Sequence, residues 1–376
     1  MKLKKPLLYA VIAGVNALSL TAALALTLTG GAIARSQSYN RSAEKWDRDG
    51  ESTQISCFFS EDAGFTTDSV YALRAEMQSK LSSAINDPNG KLPETPDAYS
   101  TPIGTGYVTA DSIKNAEADI TAVGGDFFLF RDFKRLSGAY FTEDDLMQDG
   151  AVIERSLAWK LYGSPNVAGQ QIYIDGAQFY IAAVIDDPTD KYEKLTADEN
   201  PRVYVSYDGA ASLPQVQYSA ENGGYGMDGG SEAPAKLTKI TCYECIMYDP
   251  VENFAYNTVN KYLKNMYNGR YSAVNNTERF KPSRMAKAYK KRPLLAVRRD
   301  TLVYPYWENA SRIAEFKLAP MYFWRTVCFV LPIITAIWLI WQGSRLVKRN
   351  GLKLISAVIE AYKKAVYRRR QKKANI

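Results

Sequence analysis

Four cysteines, no histidine and several adjacent carboxylates are the groups from which this chain of 376 residues would have to build chemistry. Without histidine, the Ser-His-Asp and Cys-His nucleophile arrangements are excluded, as is a His-liganded zinc site. No G-x-x-x-x-G-K-[ST] occurs, so the chain has no phosphate-cradling loop of its own, and no cofactor or metal is implied. Asp144-Asp145 and Asp186-Asp187 read as solvated pairs rather than as an acid and a base. Cys242 and Cys245 form a C-x-x-C inside a strand-like run, where residues three apart face opposite sides, so a bridge between them would distort the strand. A disulfide from Cys57 to Cys242 or Cys245 is more natural if their strands are neighbours; three free thiols are the plainer alternative, and the sequence leaves both open. Redox catalysis ranks well below either. Cys328 lies in an apolar run and reads as a small apolar residue.

A second group of residues lies near the end of the chain. Leu352, Ile355, Ile359 and Tyr362 share a helical face, and the run Arg368, Arg369, Arg370 adds positive charge behind it. A basic amphipathic helix of this kind is expected to lie on an anionic inner leaflet. The same residues could instead dock a partner.

Both groups are positioned by two apolar runs. Residues 6–34 carry no charge, enough to exceed the roughly 20 residues that span a hydrocarbon core, and 326–344 form a second uncharged run bordered by Trp324, Trp338 and Trp341. Lys2, Lys4 and Lys5 followed by Ala32-Ile33-Ala34 resemble a signal peptide, but the apolar stretch is far longer than a signal core of about 7–15 residues, which favours a retained anchor. Residues 35–320 hold 32 basic and 39 acidic side chains, whereas 344–376 hold eleven basic ones against Glu360. The basic ends are therefore expected in the cytoplasm and the acidic middle outside. A net charge of +7 might suggest nucleic acid. The positive charge, however, lies beside the spans, where it matches lipid headgroups.

Periodicity predicts a strand at 54–59 and a helix opened by Thr66, Thr67 or Asp68, with Val70, Leu73, Met77 and Leu81 on its buried face. Residues 86–106, rich in Pro and Gly, read as a loop, 110–117 as a short helix and 119–123 as a strand. A strand at 151–153, a helix at 155–162 closed by Gly163, and a hairpin turning at Gly176 follow. Residues 206–237 read as an insertion, 237–248 as a strand, and 250–266 as a helix with Val251, Phe254, Val259 and Leu263 inward. The basic stretch 279–299 reads as solvated surface, and 308–318 as a helix capped by Asn309. Alternating strands and helices make the domain α+β.

The segment GGDFFLF (124–130), LSGAYFTEDD (136–145) and VIERSLAWKLYGSPNVAGQQIYIDGAQFYIAAVID (152–186) resembles the MacB-like periplasmic core domain of ABC-transporter permeases of the MacB/FtsX type. Ala183 stands where that pattern has Gly. The resemblance implies an α+β extracytoplasmic domain at 35–319, with a porter-like βαβ lobe (52–136 and 203–268) and an inserted β-rich lobe (137–202). Two transmembrane helices, 6–34 and 320–343, carry it, with 1–5 and the tail 344–376 in the cytoplasm. Such permeases continue to a third and fourth span, and no further apolar run follows Arg345, which implies a half-size or accessory subunit. The resemblance further implies a separate ATPase or permease subunit as partner, beside inner-leaflet lipid, and no reaction of its own. The competing reading is an extracytoplasmic sensor or scaffold that regulates cell-envelope enzymes, as FtsX-like proteins do.

Overall fold

The structure is a computed structural model and describes residues 5–85, 92–110, 114–196, 199–214, 216, 239–291 and 301–374. The chain divides into two units, 31–320 and the pair of terminal segments 1–30 and 321–376.

Within 31–320 the strands are β1 (Ser52–Phe59), β2 (Asp97–Thr109), β3 (Asn115–Gly125), β4 (Arg135–Gly138), β5 (Gly150–Glu154), β6 (Gln171–Ile174), β7 (Ala177–Ile185), β8 (Arg202–Ser206), β9 (Cys242–Tyr248) and β10 (Tyr271–Asn275). They form one mixed sheet in the order β10-β1-β9-β2-β3-β8-β5-β7-β4. β6 pairs with both β2 and β7, which closes β2, β3, β8, β5, β7 and β6 into a ring. Residues 137–202, expected as an inserted lobe, enter this same sheet where β5 pairs β8 (Ile153↔Val203).

In chain order the helices among the described residues are α1 (Lys5–Ser36), α2 (Ser42–Trp46), α3 (Thr67–Ala84), α4 (Arg155–Tyr162), α5 (Lys191–Thr196), α6 (Phe254–Tyr267), α7 (Asn276–Arg279), α8 (Pro282–Ala288) and α9 (Tyr306–Ala374). Thr66 caps α3 through a reciprocal pair with Ser69, and Val70, Leu73, Met77 and Leu81 are buried along it. Gly163 ends α4 in the left-handed conformation at φ 71°, which glycine reaches without steric cost.

β1 explains why the core has two sides. Its residues alternate, so Ile55, Cys57 and Phe59 join the larger apolar cluster with α3 and α6, while Phe58 joins a smaller one that contains Phe127, Phe130, Tyr204, Cys242 and Trp307. Gln54 and Ser56 share the second side and are buried polar groups.

Several expectations are corrected. Residues 97–106 of the expected loop belong to the strand β2, whose register shifts between Pro102 and Gly104; Pro and Gly mark a bulge there rather than a loop. The expected helix at 110–117 is instead the approach to β3 from Asn115, and 111–113 lie outside the described residues. α6 begins at Phe254 and buries Ala255, Val259, Leu263 and Tyr267; Val251 precedes it and is exposed. Asn309 does not cap α9, which starts at Tyr306. Most of the expected insertion at 206–237 falls outside the described residues.

In the terminal unit, α1 and α9 are long and apolar enough to cross a membrane over Leu7–Ser36 and Tyr306–Arg345. Protein covers almost none of that surface: Leu18 and Ile340 are 74% and 72% exposed. Asn16 Nδ2 donates to Thr335 Oγ1 at 3.1 Å and Ser19 Oγ to the Cys328 carbonyl at 2.5 Å. Gly30 admits the Tyr322 ring, which a Cβ would meet at 3.0 Å, the small-residue contact that lets membrane helices approach.

Candidate functional site

The residues marked by sequence do not gather into one site. Cys57, Cys242 and Cys245 are free, buried thiols. β1 and β9 are neighbours, as a disulfide would require, but the register sets Cys57 opposite Tyr243, Phe58 opposite Cys242 and Ile55 opposite Cys245. Cys242 belongs to one side of the sheet, Cys57 and Cys245 to the other. Diagonal neighbours on one face stand about 7–8 Å apart, beyond normal disulfide reach. Burial pushes all three thiols above the ordinary range, which leaves them unreactive.

In the tail, Ile359 and Tyr362 are exposed on α9. The side chains of Leu352, Ile355, Arg368, Arg369 and Arg370 lie outside the described residues. α9 is uninterrupted from the apolar run into the tail. A helix that leaves a span and turns to lie flat on a leaflet needs a break near 344–352, where there is none.

A different set of side chains is brought together on the second side of β1, where the segment after α1 and the first turns of α9 pack. Ser311 Oγ on α9 donates to Asn40 Oδ1 at 2.7 Å, and Asn40 Nδ2 donates to Asn276 Oδ1 at 3.3 Å. Asn276 Nδ2 donates to Ser56 Oγ at 2.7 Å, and Ser56 Oγ to Glu244 Oε1 at 2.7 Å. The Arg131 guanidinium completes the series with an ion pair to the other Glu244 oxygen. It also stacks on Trp307, 4.0 Å from the ring centroid, and so returns the circuit to α9. Every side chain in this circuit is buried. The hydrogen-bonded links from Ser311 to Glu244 and the ion pair to Arg131 are all made, while Arg131 Nε and the Trp307 indole N–H stay without a hydrogen-bond partner.

Two further clasps flank the circuit. Arg279, 1% exposed, donates to both Glu308 oxygens at 2.6 and 2.8 Å and contacts Glu315 at 3.0 Å. Burial works against its charge, but the two carboxylates outweigh burial and hold the guanidinium above its ordinary value. Of the described basic residues, Arg279 alone departs from the reading of 279–299 as solvated surface: Lys281, Arg284, Lys287, Lys290 and Lys291 are exposed, and 292–299 lie outside the described residues. On the other flank Arg202 stacks on Tyr306 at 3.5 Å, and Tyr306 shares a hydrogen bond with Tyr204 at 2.8 Å. The Arg202 amide donates to Glu154 at 3.0 Å; burial, opposed by Arg202, pushes the Glu154 carboxyl up to about 7. Sequence reading missed all of these. A lone Arg131 after four apolar residues, FFLF, was the available signal.

Among the described residues no group of three or more His, Cys, Asp or Glu is placed to hold a metal ion. An α+β domain whose buried polar groups tie its sheet to the segment after one apolar helix and to the start of another defines a class of membrane-anchored external domain. A family model for the MacB-like periplasmic core domain matches residues 14–229. The chain belongs to that family, the external domain of MacB/FtsX-type permeases, and is a membrane protein with an extracytoplasmic domain.

Among solved structures it is similar to the periplasmic region of MacB from Actinobacillus actinomycetemcomitans, at 14% identity and a TM-score of 0.37, covering 59% of this chain and 88% of that one. It is also similar to the extracellular domain of the noncanonic ABC-type transporter YknZ from Gram-positive bacteria, at 10% identity and a TM-score of 0.38, covering 59% and 100%. A domain of a putative permease protein from Porphyromonas gingivalis matches at 13% identity and a TM-score of 0.34, covering 60% and 90%. No curated protein matches.

Proposed function

We propose that the chain is a non-catalytic, permease-like subunit of an ABC-type transport or mechanotransmission complex, which couples movement of its extracytoplasmic domain to a separate ATPase. The observation that carries this reading is the closed circuit Ser311, Asn40, Asn276, Ser56, Glu244, Arg131 and Trp307. It joins the segment after α1, the central strands β1 and β9, and the start of α9 by buried contacts that cannot slip individually without leaving a polar group unpaired. The acidic middle and basic ends support a large external domain with both termini cytoplasmic. On this reading the uninterrupted α9 presents its tail to the ATPase, with Ile359 and Tyr362 as exposed apolar anchors.

The test is co-purification from native membranes in detergent, where leaflet charge is gone. An ATPase should accompany the wild type and be lost from Ile359→Glu, while neutralising Arg368, Arg369 and Arg370 should leave it bound. Retention by Ile359→Glu with loss from the arginine variant would refute the docking face. Recovery of a cell-envelope hydrolase in place of an ATPase would favour the sensor or scaffold reading instead.

A further inference from the structure

A cavity of about 380 Å³ lies on the second side of the sheet, between β2, β3 and the segment that leads into α9. Its volume falls within the range of small-molecule sites. One wall is apolar, with Pro102, Val303 and Tyr304. Arg202 and Asp119 line it as well.

These two charges occupy paired positions on adjacent parallel strands, Asp119 on β3 and Arg202 on β8, where side chains share a face. Among the described residues they form no ion pair with each other. Arg202 is drawn to the Tyr306 ring and to Glu154, its ion-pair contact there a long 3.5 Å. Asp119 turns the other way, and its Oδ1 accepts from Thr105 at 2.9 Å and from Asn200 at 3.4 Å. The cavity therefore has a cationic and an anionic wall that do not neutralise one another. Most of its other polar groups are already spent: Thr241 and Thr196 donate to the carbonyls of Ser100 and Tyr306, and Asn309 to that of Tyr304.

We propose that this cavity is a binding site for a small zwitterion with an apolar body, of the class of short peptides with free termini. The ligand carboxylate is received by Arg202, its ammonium by Asp119, and its side chains by the Pro102, Val303 and Tyr304 wall. Single-charge molecules of equal size satisfy one wall and leave the other unpaired, which makes opposite charge at the two ends the basis of selection. Occupancy would press on the residues that open α9, but the binding site stands on its own, whether or not the chain couples to an ATPase.

The test is isothermal titration calorimetry on the full chain in detergent, with the dipeptide Leu-Phe as probe. N-acetyl-Leu-Phe and Leu-Phe amide each lack one charge. Free Leu-Phe should bind saturably, and each blocked form should bind about tenfold more weakly, as loss of one charge-assisted bond implies. Asp119→Asn should weaken free Leu-Phe by a similar factor and leave N-acetyl-Leu-Phe unchanged, since that probe has no ammonium to lose. The blocked-probe comparison on wild type needs no variant to fold. Equal binding of free and blocked dipeptides, equal loss of both from Asp119→Asn, or no saturable binding up to about 10 mM would overturn the proposal.

Discussion

Replacing Arg279 with Met would expose how much the clasp on α9 contributes. The guanidinium is 1% exposed, and its contacts at 2.6, 2.8 and 3.0 Å engage Glu308 and Glu315, whose side chains are 4% and 14% exposed. At an effective dielectric of about 20, each close opposite charge is worth roughly 4 kcal/mol of Coulomb energy, most of it offset by desolvation of the groups involved. Methionine fills much of the volume but strands two carboxylates beside each other in a dry site. The expected loss is about 3–5 kcal/mol, the range for breaking a buried pair from one side. The assay is urea unfolding of the full chain in detergent at pH 7, followed by fluorescence and interpreted through the unfolding midpoint. Two controls discriminate the cause. Adding Glu308→Gln and Glu315→Gln to Arg279→Met should recover most of the loss, because no unpaired charge is left. Lowering the pH should also narrow the gap to wild type, since stranded carboxylates take up protons. A loss below about 1 kcal/mol, as for an exposed surface pair, would refute the assignment of this clasp to the buried core.

Three more outcomes follow from the same coordinates. Burial raises Glu154 from 4.5 to about 7. Its stabilising contribution is therefore fully present below about pH 4.5 and is lost as pH rises towards 7, by about 3 kcal/mol. Melting curves of wild type and Glu154→Gln should diverge over that interval, and parallel pH profiles would contradict it. Gly138 sits at φ 74°, and a Cβ there would stand 2.0 Å from the Ala182 carbonyl oxygen. Gly138→Ala should cost about 2 kcal/mol or more and lower the melting temperature, whereas an unchanged midpoint would contradict the pairing of β4 with β7. N-ethylmaleimide followed by mass spectrometry should leave Cys57, Cys242 and Cys245 unlabelled in the native chain and label all three after denaturation. Native labelling, or a bridge surviving without reductant, would contradict three buried free thiols.

The parts of the fold legible in the sequence were those with local causes. Val70, Leu73, Met77 and Leu81 recur at helical spacing behind Thr66, and Gly163 and Gly176 mark a helix end and a hairpin turn, so α3, α4 and β6–β7 follow from short-range chemistry. β2 was lost because Pro102, Gly104 and Gly106 imitate a loop, while β9, which pairs with it on the side away from β3, lies far along the chain. Most of the site was illegible for a related reason. Asn40, Asn276 and Ser311 are ordinary surface types in isolation, and they become one network only when three distant segments meet behind β1. Arg279 was misread because it opens a basic run, whereas its carboxylate partners lie 29 and 36 residues further on. The C-x-x-C was read correctly in one respect, since Cys242 and Cys245 do face opposite sides of β9.

The central claim is that the segment after α1, strands β1 and β9, and the start of α9 behave as one mechanical body. Native-state hydrogen exchange on the full chain in detergent tests it most directly, by comparing amides in 38–46, 52–59, 242–248 and 306–315. The expected result is a shared opening free energy for all four segments, lowered together by Arg279→Met. Fast, independent exchange at 38–46 and 306–315, with 52–59 and 242–248 still protected and unaffected by the substitution, would contradict the claim.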